Sequence, residues 1–356
     1  LLLAISLSIK TILIFILPII VFSLVFYAFA YLIGNVLGFA ALIILLICLS
    51  NFLCVMFAYL VGLEFQEFIM AKTMDSTSKK LIELIPYFNL TLPKICDNSL
   101  GLLIGLLLGL YTKVTNNLRL KLLAKTLAEA TNVFLQKIFT PIIPLFVIGF
   151  ILKLQHDDTL NTLLKNFSSI VLVIVIAQTI YISLLYLISN NFNLVKSIAS
   201  IKNIIPAAIV GFSTMSSAVS MPVLTAGAVK NAKDPKLAQS IIPSAVNTHM
   251  LGDAIGIPIM AISLYLMQYN KIPELNVYLN FAFAYILAKF SAAGVPGGTV
   301  LIMIPVLESK LLFTPEMSIS ILMMYILFDP FCTMFNILGN GSLAMIFEKI
   351  WLSKKS

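Results

Sequence analysis

The sequence predicts an all-α polytopic membrane protein, on three observations. Of 356 residues, 60% are hydrophobic and 11% charged, where soluble domains carry roughly 25% charged residues. The apolar residues gather into runs of spanning length, about 18 residues or more. The Lys and Arg behind the net charge of +8 sit mainly in the segments between those runs. A water-soluble fold could not cover such an apolar surplus. The composition therefore excludes a soluble enzyme, a nucleic-acid-binding domain and a disordered chain. The basic residues never form the dense patch that a nucleic-acid partner requires, and loop charge that orients a membrane protein accounts for them.

Taken in order, the runs cover residues 12–33, 38–63, 100–111, 139–152, 170–188, 204–229, 241–267, 279–307 and 317–350. The third is short and reads as broken by Gly101, Gly105 and Gly109. Several others hold Gly, Pro or polar residues in the middle, which a spanning helix tolerates only where something satisfies the freed backbone groups. Residue 1 is Leu inside an apolar stretch, so an N-terminal segment is expected to be missing. Cys48, Cys54, Cys96 and Cys332 show no CxxC spacing and three lie in apolar runs, which predicts buried free thiols and no metal site.

Charge in the connections sets the orientation. Residues 113–137 carry a net +4; residues 190–203, 230–236 and the tail from Glu348 carry +2 each. The remaining connections are neutral or acidic. Basic loops read as cytoplasmic, which places the C-terminus inside with Trp351 as an interfacial anchor. Run 204–229 then enters and leaves on the cytoplasmic side, and run 279–307 does so from outside. Two re-entrant hairpins of opposite hand, each followed by a helix with a broken middle, form the pattern of an inverted repeat with its site near the midplane.

Asp253, Asp329 and Lys289 lie deep in the later runs, where an ionisable group marks a functional site unless it is only a compensating ion pair or a snorkelling lysine. Four polar or glycine-rich islands surround them: Gly211–Pro222 with Ser213, Thr214, Ser216, Ser217 and Ser220; Asn247–Asp253; Ser291–Gly298, which reads SAAGVPGG; and Asp329–Asn340. That much polarity has no partner in hydrocarbon, so the first island reads as a hairpin tip offering N–H groups and hydroxyls to a ligand. Packing of small residues between helices is the plainer reading. In the fourth, Asp329, Thr333, Asn336 and Asn340 fall at i, i+4, i+7 and i+11, one helical face turned to a cavity rather than lipid.

This order of islands resembles the dicarboxylate/amino acid:cation symporter family, the glutamate-transporter fold. The stretch Ile16–Phe22 (ILPIIVF) resembles that family's second helix, so its first helix is expected to be absent here. The resemblance implies a secondary active transporter that moves a small amino acid or dicarboxylate-like solute, with no cofactor, working with sodium or protons by an elevator-type movement, as a homotrimer in the inner (plasma) membrane. It implies scaffold and trimerisation helices mainly within residues 1–200, with parts of the mobile domain among them, and a transport domain over 201–350. The latter comprises hairpin 1 (about 204–229), a broken helix (about 239–267), hairpin 2 (about 279–307) and a second broken helix (about 317–350). It further implies a small-molecule solute between the hairpin tips and the last helix, held by Ser216, Ser217, Ala293, Gly294, Val295, Asp329, Cys332, Thr333 and Asn336. Cation coupling is implied for Thr248, His249, Met250, Asp253, Lys289, Asn336 and Asn340.

Departures from the family pattern are informative. An arginine that grips acidic substrates in the last helix is Cys332 here, and a second arginine position in the first hairpin is Met215. Loss of a bidentate carboxylate partner disfavours acidic solutes. The family's NMDGT reads His249-Met250-Leu251-Gly252-Asp253, and a second sodium-site Asp is Asn340. At least one sodium site is thus expected to be lost or rebuilt. His249 and Asp253, at i and i+4, are expected to face each other and could carry a proton; the Lys289 ammonium could stand in for a missing cation. Two rival readings stay open: a transport-impaired or channel-like relative, and an intramembrane enzyme pairing His249 and Asp253 with Ser216, Ser217 or Cys332 as nucleophile. The latter lacks any nucleophile motif beside the base.

Overall fold

The computed structural model describes residues 1–31, 37–71, 86–93, 98–139, 160–290 and 297–353, with positions 141, 142, 145, 148, 152 and 155. Among them there is no strand. Five helical segments of the described residues, Ala41–Glu64, Phe167–Ser189, Leu194–Thr214, Leu251–Tyr269 and Pro315–Ser353, are long and apolar enough to cross a membrane.

The first layer is built from α1 (Leu2–Ala30), α4 (Asn98–Thr115) and α5 (Leu118–Val133), the last running on into a π-helical segment, Phe134–Phe139. The run expected to be broken by glycines is instead the continuous helix α4. Its glycines, spaced by four, form one face that lets two backbones touch. A Cβ at Gly101 would stand 2.5 Å from the Pro18 carbonyl oxygen, one at Gly105 2.8 Å from that of Phe22, and one at Gly109 2.6 Å from the Phe29 Cβ. This is the small-residue packing that replaces hydrophobic force between helices in lipid. Asn117 starts α5 by accepting from the Arg119 and Leu120 N–H groups, as an N-cap should.

The larger body comprises α2 (Leu37–Glu64) with the short α3 (Gln66–Ala71), α6 (Leu160–Ser189) and everything after it. Helices α7 (Leu194–Thr214) and α8 (Ser217–Asn231) form the first hairpin. Its first arm begins at Leu194, ten residues before the apolar run, because Asn193 caps it by accepting from the Lys196 N–H. At the tip, Met215 takes a left-handed conformation (φ 50°) and Ser216 caps α8 through the Val219 N–H. Next come α9 (Pro235–Ala245) and α10 (Leu251–Tyr269), separated by a non-helical stretch at 246–250, so the first broken helix is broken as expected. Helices α11 (Leu275–Lys289) and α12 (Gly298–Lys310) are the arms of the second hairpin. Its tip, with Ala293, Gly294 and Val295, lies outside the described residues.

The last run departs from expectation. Instead of two pieces it forms one helix, α13 (Pro315–Ser353), that carries Pro330 in its interior. Neighbours on nearly every side hold it together: α13 packs against α6, α7, α8, α9 and α10. One buried cluster spans α2 and α6–α13, and a separate one joins Phe26, Ala30 and Ala124 of α1 and α5. A small third cluster, Val25 and Phe29 of α1 with Met250 and Ile302, links the two bodies at the helix break.

Candidate functional site

Asp253 sits in the first turn of α10 and is 1% exposed. Its carboxylate is fully engaged. Oδ1 accepts from the Tyr325 hydroxyl (2.8 Å); Oδ2 accepts from Thr299 Oγ1 and Asn336 Nδ2 (3.1 Å each) and lies 3.7 Å from Lys289 Nζ. The Asp253 N–H in turn donates to Asn336 Oδ1 (3.3 Å). Lys289 ends α11 and is fully buried. Its ammonium donates to the Met250 carbonyl (2.6 Å) at the helix break and lies 5.7 Å from the centre of the Tyr285 ring. Tyr285 itself donates to the Asp253 carbonyl (2.8 Å). Of the readings open for Lys289, the paired one is found and the snorkelling one is not.

Met250 also receives the Thr299 hydroxyl on its sulfur (3.6 Å). Thr299 stands in the first turn of α12 and Lys289 in the last turn of α11. Both arms of the second hairpin, on either side of its tip, are therefore tied to the same two residues of the break.

The expected pairing of His249 with Asp253 does not form. Position 249 lies in the non-helical stretch before α10, so helical i, i+4 geometry never applies to it. His249 Nε2 instead meets Ser50 Oγ at 2.9 Å. Around it, Asn51 Nδ2 donates to the Thr248 carbonyl (3.0 Å), and Asn340 Nδ2 to the His249 and Asn336 carbonyls (2.9 Å each). Thr248 Oγ1 turns back to the Ala245 carbonyl (3.2 Å). Three buried atoms of this second cluster, Asn51 Oδ1, His249 Nδ1 and Asn340 Oδ1, have no partner among the described residues. Buried polar atoms are seldom left so.

Asp329, 4% exposed, forms a third cluster: Oδ2 accepts from the Gly297 N–H (2.8 Å) and Oδ1 from Thr333 Oγ1 (3.3 Å). The first hairpin reaches the same face of α13, where Phe212 meets Phe331 edge-on and a Cβ at Gly211 would stand 3.3 Å from Thr333 Cγ2. Most hydroxyls of the serine-rich island turn back onto their own helices: Ser213 to Ile209, Thr214 to Val210 and Ser220 to Ser216. Ser216 acts as the cap of α8. Ser217, 3% exposed, makes no side-chain hydrogen bond among the described residues. Asn336 belongs to the Asp253 cluster through both ends of its amide, and its side chain hydrogen-bonds to neither Asp329 nor the first hairpin among the described residues.

Cys332 points elsewhere. Its sulfur lies 3.7 Å from the Gly252 carbonyl oxygen and 4.0 Å from Gln178 Nε2, against α10 and α6. Cys54 and Cys332 are buried free thiols and Cys48 is a half-buried one; Cys96 lies outside the described residues. The described residues also hold no His/Cys/Asp/Glu group arranged for a metal.

Several residues of these clusters carry signals that the islands alone do not capture. Tyr325 extends the Asp329–Asn340 stripe by one turn, and Tyr285 stands one turn before Lys289. Gln178 and the Ser50-Asn51 pair are isolated polar residues in apolar runs; Gln178 Nε2 donates to the Gly252 carbonyl (2.8 Å). Thr299 follows the glycine pair directly.

No curated protein matches this sequence. The sodium:dicarboxylate symporter family is matched over residues 2–350, which includes every described helix up to the final turn of α13. The buried ion pair, the broken helix and the two hairpins thus sit in a multi-pass transporter, not an enzyme: the chain belongs to the sodium:dicarboxylate symporter family.

Proposed function

We propose that this chain is a cation-coupled symporter for a small neutral amino acid, and that acidic solutes are poor substrates. The observation that carries the reading is that, among the described residues, no uncommitted Lys or Arg is found in the polar clusters of Asp253 and Asp329. A dicarboxylate or acidic amino acid needs a positive partner for its extra carboxylate. The sole arginine of the sequence is Arg119, at the start of α5 and exposed. Lys289 is committed to Asp253 and the Met250 carbonyl. Asp329 offers the complementary feature, a buried carboxylate suited to an amino group, with the Ser217 hydroxyl for the rest of the solute.

The coupling ion is assigned to the second cluster. Asn51 Oδ1, Asn340 Oδ1 and His249 Nδ1 (in the tautomer that donates from Nε2) are buried acceptors without donors, which favours a cation there. Transport proceeds by an elevator-type movement, in which α2, α6 and α7–α13 travel as one body against α1, α4 and α5. The division of the buried clusters supports that partition. A homotrimer in the inner membrane, with α13 ending on the cytoplasmic side, completes the proposal. The test is uptake of radiolabelled neutral amino acids, acidic amino acids and C4-dicarboxylates into proteoliposomes under separate sodium and proton gradients. Gradient-driven accumulation of a neutral amino acid is expected. Strong aspartate, glutamate or dicarboxylate uptake overturns the substrate assignment, and passive flux alone overturns symport.

A further inference from the structure

We infer that the Lys289 ammonium is a tethered cation: it permanently fills a monovalent-cation position between the arms of the second hairpin and the helix break, so those arms are held there without an ion from solution. The inference rests on the symporter reading for its meaning, but its test does not depend on transport.

The surroundings of Lys289 Nζ have the make-up of a cation site. A backbone carbonyl from a non-helical break (Met250, 2.6 Å) and a carboxylate (Asp253 Oδ2, 3.7 Å) face the charge. The Thr299 hydroxyl and the Asn336 Nδ2 group donate to the same carboxylate oxygen and fix its position; the Met250 carbonyl and the Asp253 carboxylate are the oxygens that face the charge. Hard oxygens of this kind, including break carbonyls, are what coordinate alkali cations in transporters with broken helices. A primary ammonium presents three donors where an ion would present charge. It also sits in the last turn of its own helix, α11, where a cation is favoured.

A salt bridge kept only for stability is a weak explanation, because burying both charges costs about what their attraction returns. The position of the pair is the stronger argument. Lys289 and Thr299 flank the tip of the second hairpin, and both grip the Met250–Asp253 turn. A dissociable ion at this point would hold the arms to the break only while bound. A covalently attached one holds them without exchange with either solution. The carrier then moves one cation fewer per cycle than it would with that position open.

The test is a thermal-stability titration of the purified full-length transporter with sodium chloride, methylammonium chloride and choline chloride at matched ionic strength. Lys289→Ala opens the position while leaving Asp253 in place. It should gain a saturable stabilisation by sodium or methylammonium that choline does not give. At ten times the half-saturating concentration the melting temperature should rise by about 2 °C more than that of the unaltered protein. The uncharged pair Asp253→Asn/Lys289→Met should show no such gain. If Lys289→Ala can be purified only with sodium or methylammonium present, that too supports the inference. Equal loss of Lys289→Ala in all three salts, or an equal response of variant and parent, reduces the pair to a structural salt bridge and overturns it. A saturable sodium response in the parent that Asp253→Asn abolishes overturns it as well. Failure of gradient-driven uptake with these results intact would count against symport alone.

Discussion

Replacing Gly252 with alanine tests how closely the helix break is pressed against the last helix. A Cβ at Gly252 would stand 2.1 Å from the Cys332 carbonyl oxygen, with the Cys332 carbonyl carbon and Cα at 2.9 and 3.0 Å. Carbon and carbonyl oxygen rest about 3.3 Å apart at closest, so α10 and α13 must separate by roughly 1 Å. The contact is with backbone, so no rotamer change relieves it. Overpacking of this kind costs about 1–3 kcal/mol. The same shift stretches the two bonds between Asp253 and Asn336, now 3.1 and 3.3 Å. Weakening a hydrogen bond to a buried charge adds about 1.5–3 kcal/mol. The sum, roughly 2.5–6 kcal/mol, should lower the melting temperature by at least about 3 °C for a chain of this length, read by fluorescence-detected size exclusion after heating. Gly256 supplies the control. Its Cβ would meet the Cys332 sulfur, at 3.0 Å, rather than backbone. Cys332→Ala should therefore rescue Gly256→Ala and leave Gly252→Ala unrescued. A Gly252→Ala protein that melts with the parent, or one that Cys332→Ala restores, refutes the reasoning.

Three further outcomes are expected. Asp253→Asn leaves a buried ammonium without its counter-charge and should destabilise by about 3–5 kcal/mol, whereas adding Lys289→Met should return most of that; a thermal double-mutant cycle measures the coupling. Asp329→Asn keeps the size of the group but removes the charge proposed to hold the solute's amino group. Uptake kinetics should show KM raised tenfold or more, equivalent to about 1.4 kcal/mol, with protein yield unchanged. Gly105→Val pushes α4 away from the Phe22 carbonyl of α1, only 2.8 Å from the new Cβ, at about 1–3 kcal/mol. A melting temperature equal to the parent's would show that α1 and α4 are not in backbone contact.

The clusters were legible in the sequence to different degrees, for physical reasons. Asp253, Asp329 and Lys289 stood out because charge in an apolar run is costly at low dielectric and needs a partner or a role. The face Asp329, Thr333, Asn336 and Asn340 was readable because α13 is helical throughout that stretch. The same arithmetic failed for His249 and Asp253, since spacing has a meaning only inside one helix and the chain leaves helical geometry at 246–250. The glycines of α4 looked like a break because glycine weakens a helix in isolation; against α1 they allow the approach that holds it. Pro330 carried the same ambiguity, and packing on many sides resolved it toward one continuous helix.

By itself the sequence determined the solvent of this protein, the number and order of its apolar runs, the site of the first hairpin's tip and the residues too polar for lipid. Those properties follow from local chemistry: transfer cost, turn preference and the absence of an arginine from every run. Only the tertiary structure decided which polar residues meet. It joined Lys289 to Asp253 across 36 positions of chain, gave His249 to Ser50, and turned Cys332 toward Gly252 and Gln178. Hydrogen-bond and charge partners are chosen by how helices cross, and no local rule encodes a crossing.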